Sequence, residues 1–172
     1  EKLMKAISKS LKKNDPNHLN LGIRYGYIEQ LDDELLRISK ESFDALSFNC
    51  YALSPDHEKM NHALEISGLP MIIGEYHFGT VDRGLAQSLW QVNSQKERGD
   101  AFRYYTENAF AHRGLIGTGW FRWIDQNING RTDGENYNCG FIDVTDRPYP
   151  YMVDAAIKTA KSLYEIHSGT KT

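Results

Sequence analysis

Long apolar runs are missing from this 172-residue chain. No stretch approaches the roughly 20 apolar residues that a membrane-spanning helix needs, so no span, and a soluble chain, is expected. Positive charge is not in excess either. Twenty Lys and Arg against 23 Asp and Glu give a formal net charge of −3, which lacks the electrostatic footprint of a nucleic-acid or anionic-membrane binder. Cysteine is scarce: Cys50 and Cys139 make no disulfide framework, and each is expected as a buried free thiol. No low-complexity segment, linker or sequence repeat interrupts the chain. No signal peptide is visible ahead of the helical pattern in which the chain opens at Glu1.

What is abundant is aromatic surface. Aromatics make up 12% of the residues, including ten Tyr and three Trp. Such a surplus suits either an aromatic core or a surface that stacks on flat ligands such as sugars.

The hydrophobic period alternates between helix and strand along the whole chain. Leu3, Met4, Ile7 and Leu11 recur at helical spacing and stop at Asn14-Asp15-Pro16. His18–Gly22 then reads as a short strand, Leu31 to Ile38 as a helix, and Phe43–Tyr51 as a second strand. Ser54-Pro55 is expected to open a helix with Met60, Ala63 and Leu64 on its apolar face. Gly68-Leu69-Pro70 ends it, and Met71–Gly74 follows as a buried strand. Ser94 and Glu97 make a capping-box pattern ahead of the next helix. Leu115–Trp123 is the fourth strand, and Pro150 starts a last helix carrying Val153, Ala156, Ile157, Ala160, Leu163 and Tyr164. Strict alternation predicts an α/β fold with parallel strands and helical crossovers. The loops after the third and fourth strands, over Thr80–Val92 and Asp125–Tyr149, are long enough to need a functional reason.

In folds of this kind the active site lies at the C-terminal strand ends. Arg24 and Tyr25 fall there after the first strand, and Asn49 and Tyr51 after the second. The third contributes Glu75, Tyr76 and His77; the fourth contributes Trp120, Trp123, Asp125 and Gln126. Carboxylate, imidazole, guanidinium, amides and indoles converging on one rim suit sugar chemistry. Carboxylates attack and transfer protons, amides fix hydroxyls, and indole faces stack on pyranose rings. Glu75 is the sharpest of these, because a charge ending the apolar strand Met71–Gly74 needs a partner or a task. Its alternative is an ion pair with Arg24 or Arg83. A metal site shared with His77 finds no further His or Asp at ligand spacing, so neither metal nor cofactor is expected.

Five segments, DPNHLNLGIRYGY, FDALSFNCY, LPMIIGEYHFGTVDRG, GLIGTGWFRWIDQ and NGRTDGENYNCGFIDVTDRPYPYMVDAA, together resemble the second half of retaining clan-A glycoside hydrolases, most of all the beta-agarase-like branch. The resemblance runs from Asp15 to the last helix. It implies that residues 1–172 form part of a (β/α)8 TIM barrel, the four strands being the fifth to eighth. Glu75 is then similar to the nucleophile of the clan, and Tyr51 to the tyrosine that hydrogen-bonds it, with a packed core tyrosine as the alternative. Trp120 resembles the sugar platform at the cleavage subsite, whereas Trp123 is expected to be core. His77 and Asn49 resemble ligands of sugar hydroxyls, or supports for them; Arg24 is either a ligand or half of a salt bridge. Asp125, Gln126, Glu135 and Asn136 lie in the last loop. Asp and Asn in such Gly-rich loops often only make turns, so Asp125 and Gln126 alone are carried forward as substrate ligands. His18, His57, His62, His112 and His167 are expected to be bystanders.

The same resemblance implies something missing. Retaining hydrolysis needs two carboxyl groups ~5–5.5 Å apart, and the clan carries its acid/base after an Asn at the end of the fourth strand. That pair is expected upstream of Glu1, along with the first four strands, since a barrel takes about 250 residues. The chain alone is then expected to be inactive, and its unpaired sheet edges to find a partner: a second copy, forming a homodimer, or an N-terminal half-barrel. The implied substrate is a galactan or agarose-type saccharide, and the implied location periplasmic or secreted. Two other readings stay open: a non-catalytic half-barrel that binds sugar or assists assembly, and a beta-galactosidase of the same clan.

Overall fold

Helix and strand alternate in the computed structural model, which describes residues 1–171, as the hydrophobic period predicts. The order is α1 (Lys2–Asn14), β1 (Arg24–Tyr25), a 3-10 turn (Ile28–Gln30), α2 (Asp33–Ser42), β2 (Leu46–Asn49), α3 (His57–Ser67), β3 (Met71–Tyr76), α4 (Gln95–Phe110), β4 (Leu115–Trp120) and α5 (Pro150–His167). The four parallel strands form one sheet in the order β1-β2-β3-β4, with Arg24 opposite Ser47 and Tyr25 opposite Phe48.

The chain divides into two compact units. The first comprises residues 1–50, 56–74 and 114–118; the second, residues 51–55, 75–113 and 119–172.

In the first unit the core is made by Leu36 of α2, Leu46 and Phe48 of β2, Met60 of α3, Met71 and Ile73 of β3, and Leu115 of β4, all essentially inaccessible. Each such side chain contributes roughly 1.5–3 kcal/mol of transfer free energy. The helices are started by acids. Asp32 accepts from Leu35 N at 2.8 Å, and Asp56 accepts from Glu58 N and Lys59 N, so the cap of α3 is Asp56 and not the expected Ser54. The strand expected at His18–Gly22 is absent. Asn20 Oδ1 accepts from Gly22 N at 3.1 Å, and Gly22 turns left-handed at φ +75°. That local turn takes the segment out of extended backbone and delays the first strand to Arg24. Helix α1 buries no residue: Leu3, Ile7 and Leu11 are exposed, as are Leu19, Leu21 and Ile23 after it.

In the second unit α4 and α5 pack together. Buried residues of α5 are Met152, Ala155, Thr159 and Ser162, a face one position off the expected stripe, while Ile157 and Tyr164 are exposed. The small side chains on this face permit close approach, and Thr159 Oγ1 reaches Glu107 Oε1 of α4 at 3.2 Å. Around Tyr76 gathers an aromatic cluster: Tyr105 stacks on it at 4.1 Å and Trp120 meets it edge-on at 5.2 Å. Both cysteines are buried free thiols, and burial pushes Cys139 up to about 12. Among the described residues, no helix is long and apolar enough to cross a membrane.

Candidate active site

Within the second unit a cavity of about 210 Å³ is lined by Tyr51, Glu75, His77, Leu89, Phe121, Arg131 and Glu135. Three of these were singled out from the sequence: Tyr51, Glu75 and His77. The Tyr51 hydroxyl donates to Glu75 Oε2 at 2.7 Å. Burial first, and then the carboxylate that accepts its proton, push this hydroxyl well above the ordinary tyrosine range. Tyr51 therefore stays a neutral donor, and it fixes one oxygen of a carboxylate whose backbone is already fixed by a strand.

His77 is nearly inaccessible, and both ring nitrogens are engaged. Nδ1 lies 3.0 Å from Phe121 O, and Nε2 accepts the Leu89 amide at 3.1 Å. A carbonyl on one side and an N–H on the other require the neutral tautomer protonated on Nδ1. Burial dominates its titration and lowers it to about 4. The ring meets Tyr51 edge-on at 4.8 Å. With its nitrogens engaged in this way, His77 locks Leu89 onto the cavity and packs against the tyrosine, which fits the supporting role that was the alternative to a hydroxyl ligand.

The neighbouring Trp90 escaped the sequence reading. Its indole N–H donates to Tyr51 O at 2.6 Å, and Trp90 O accepts from Ser88 Oγ at 2.7 Å and Gly79 N at 3.0 Å. A partly exposed indole is thus held beside the backbone of the tyrosine that contacts Glu75.

Arg24 and Asn49 belong to the first unit, where they gather around Gly74, the residue before Glu75. A Cβ at Gly74 would lie 3.0 Å from Arg24 Cγ and 3.3 Å from Asn49 Oδ1, and closer still to Arg24 Cδ. A side chain at 74 would therefore have to displace the Arg24 side chain.

The fourth strand and the loop after it place the remaining candidates differently from one another. Trp120 is half-buried, with its indole N–H on Cys139 O at 2.7 Å; Trp123, expected in the core, is 68% exposed and stacks on Phe141. Asp125 and Gln126 do not line the cavity. Asp125 Oδ1 accepts from Gly140 N at 2.7 Å, and Oδ2 accepts from Tyr149 OH at 2.6 Å and Asn138 Nδ2 at 2.8 Å. With three donors on a buried carboxylate, its acceptor capacity goes to the loop itself. Gln126, fully buried, accepts Tyr137 N at 2.6 Å and donates to Glu135 Oε2 at 2.8 Å. Both were expected as substrate ligands; their polar atoms are engaged within the loop, and neither lines this cavity. Glu135, weighed in the sequence and passed over, lines the cavity instead. Arg131, Leu89 and Phe121 were missed, because nothing in the periodicity of a loop shows which side chains its hydrogen bonds turn inward.

Among the described residues no group of three or more His, Cys, Asp or Glu is placed to hold a metal ion. The arrangement is a carboxylate oriented by a neutral phenol in a small, polar and aromatic cavity. That suits attack on an electrophilic carbon next to hydroxyl groups.

No protein-family model matches the chain. It is 37% identical over 157 residues, 87% of its length, to Beta-agarase A of Vibrio sp. (strain JT0107), and 35% identical over 170 residues, 95% of its length, to Beta-agarase B of the same strain. It spans only 16% and 17% of these two relatives. A solved exo-beta-agarase superposes with a TM-score of 0.90 at 34% identity, covering 98% of this chain and 23% of that one. In sequence and in fold, the chain corresponds to part of a beta-agarase-like glycoside hydrolase, with the parallel strands and helices of a TIM-barrel segment.

Proposed function

We propose that this chain carries the nucleophilic half of a retaining beta-glycoside hydrolase that cleaves beta-linked, agarose-type galactan. Glu75 attacks the anomeric carbon, the bond to the leaving oxygen breaks, and a covalent glycosyl-enzyme forms. A second carboxyl group protonates the leaving oxygen; water then releases the sugar, its proton returning to that group. The observation that carries the reading is the Tyr51–Glu75 hydrogen bond of 2.7 Å inside the cavity. A neutral donor on one carboxylate oxygen holds the other in line for attack. His77 positions Leu89 and Tyr51. Trp120 serves as the platform under the ring, and Arg24 and Asn49 act from the first unit by packing around Gly74. The proton donor is assigned, as in the clan, to a carboxyl group upstream. Without it, hydrolysis by the 172 residues falls by on the order of 10²–10⁴-fold. The exposed apolar side chains on and after α1 support association with a complementary half-barrel or a second copy, which light scattering measures directly.

A 2-fluoro galactoside with a good leaving group needs little acid help, so it tests the nucleophile even when the proton donor is absent. Peptide mass spectrometry should find the adduct on Glu75 and none in Glu75→Gln. An adduct on another carboxylate, or equal labelling of Glu75→Gln, ends the assignment. Comparing agarose oligosaccharides with aryl galactosides separates the agarase reading from a beta-galactosidase.

A further inference from the structure

The tyrosine that contacts Glu75 is anchored by a residue outside the cavity wall. Tyr51 stands two residues beyond Asn49, where β2 ends, so the strand ladder does not fix its backbone. What reaches that backbone is the Trp90 indole, whose N–H donates to Tyr51 O at 2.6 Å. His77 meets the ring edge-on at 4.8 Å, and the hydroxyl lies on Glu75 Oε2 at 2.7 Å. The phenol is stiff, with its hydroxyl at the end remote from the backbone, so any turn of the backbone carries through to the oxygen. The backbone anchor therefore governs where the hydroxyl sits.

Trp90 is itself held firmly enough to act as that anchor, because it belongs to the base of its loop and not to the tip. Gly79 N donates to Trp90 O at 3.0 Å, and Val92 N donates to Gly79 O at 2.9 Å. These two bonds close the loop on itself, and Ser88 Oγ adds a third to Trp90 O at 2.7 Å. The closure is tight: a Cβ at Gly79 would lie 2.7 Å from both Ser88 Oγ and Asn138 O, an approach that glycine alone permits. On the other side of Trp90, the Leu89 amide is on His77 Nε2 at 3.1 Å. The indole has one polar atom, a donor only, and it is directed at Tyr51 O. Its ring is 38% exposed and is not among the side chains that line the cavity. Burial accounts poorly for an indole left this open; the hydrogen bond accounts for its place.

Resting on the reading of Glu75 as the nucleophile, we propose that Trp90 is a positioning residue for the reaction. It anchors the Tyr51 backbone so that the phenol keeps its bond to Glu75 Oε2. Trp90 acts through Tyr51 and does not reach the sugar in the cavity, so its loss slows attack and leaves binding alone. The contribution of one neutral hydrogen bond to that alignment corresponds to about tenfold in rate.

The test is Trp90→Phe in the 172-residue chain, which keeps an aromatic ring and removes the N–H. With the 2-fluoro galactoside, the limiting rate of labelling at Glu75 should fall about tenfold, while the half-saturating concentration stays within about twofold. In a Tyr51→Phe background the same substitution should change the rate by less than about twofold, because residues acting in series are not additive. Two NMR readouts need no covalent step. The Tyr51 Cζ resonance should move in Trp90→Phe in the same direction as in Glu75→Gln. In the parent, the Trp90 indole proton should exchange with water at least about tenfold more slowly than that of Trp123, which is 68% exposed. A labelling rate of folded Trp90→Phe within twofold of the parent overturns the proposal. So do effects that multiply in the double variant, or a Tyr51 resonance that stays in place. If Trp90→Phe does not fold, the parent decides: slow exchange of the Trp90 indole supports the anchor, and exchange equal to that of Trp123 overturns it. If no adduct forms on Glu75 while the Tyr51 resonance moves and the indole is protected, the nucleophile reading falls and Trp90 remains the anchor of Tyr51.

Discussion

The two long loops of the second unit are fastened by different chemistry. The loop after β3 is held at the cavity by neutral groups: the Leu89 amide on His77 Nε2, the Trp90 indole on Tyr51 O, and Ser88 Oγ on Trp90 O. The loop after β4 is held by ions. Arg98, fully buried, donates to Asn138 O at 3.0 Å and to Gly140 O, and lies 4.4 Å over the Tyr149 ring. Asp125 gathers Gly140 N, Asn138 Nδ2 and Tyr149 OH. Neutral fasteners are cheap to bury and easy to perturb one by one. Buried ions are costly to desolvate, and the loss of one exposes that whole cost.

The sharpest break in this contrast is Arg98→Met. It strips two backbone carbonyls of their donor and removes the buried positive charge that acts on the Asp125 carboxylate. Breaking a buried ionic arrangement in this way costs about 3–5 kcal/mol, read as a fall in unfolding free energy in urea. A loss below about 1 kcal/mol would show that the β4 loop does not depend on its buried charges.

The neutral fastening has its own signature, in pH. In the folded chain burial holds His77 neutral down to about 4, whereas an unfolded histidine takes a proton near 6.5. Between those values the unfolded state binds more protons, so stability is full above about pH 6.5 and falls as the pH drops towards 4. The contribution lost is at most on the order of 3 kcal/mol. His77→Gln should remove it, so that the difference between parent and variant shrinks from pH 7 to pH 4.5 in urea unfolding. A difference that stays constant over that range would mean that His77 titrates alike in both states.

These fastenings also explain what the sequence could and could not show. The end of α1 and the starts of α4 and α5 were legible to within a residue or two, because Asn-Asp-Pro, Ser and Pro mark those boundaries, whereas α4 stops at Phe110, short of the Gly114 that would be expected to close it. Glu75 and Tyr51 were legible because a strand end puts a side chain in a defined place. Strand β1 was not, since two paired residues leave no period and the Asn20–Gly22 turn governs the segment before them. The β4 loop was the least readable. Its Asp125 and Gln126 stand next to the strand end and look like ligands, yet the buried donors of Asn138, Gly140 and Tyr149 claim Asp125, while Gln126 serves the backbone of Tyr137 and the carboxylate of Glu135. Only the folded partners reveal that, and the same partners turn Glu135 to the cavity.

Not every ion of the β4 loop bears weight. Arg131 and Asp133 are 2.8 Å apart, but their side chains are 41% and 44% exposed, so water screens the attraction and ordering two side chains offsets most of it. Exposed pairs of this kind contribute about 0.2–1 kcal/mol. Asp133→Asn should therefore change the unfolding free energy by less than about 0.5 kcal/mol, with the change fading further in 0.5 M salt, where the Debye length is well under the ~8 Å of physiological solution. The asparagine also keeps a side-chain oxygen for Glu135 N, which now donates to Asp133 Oδ1 at 3.2 Å, so the turn itself survives. If the loss instead matched that of Arg98→Met and persisted in salt, exposure would not be what separates the two kinds of ion, and the loop would be a single electrostatic unit from its buried end to the cavity.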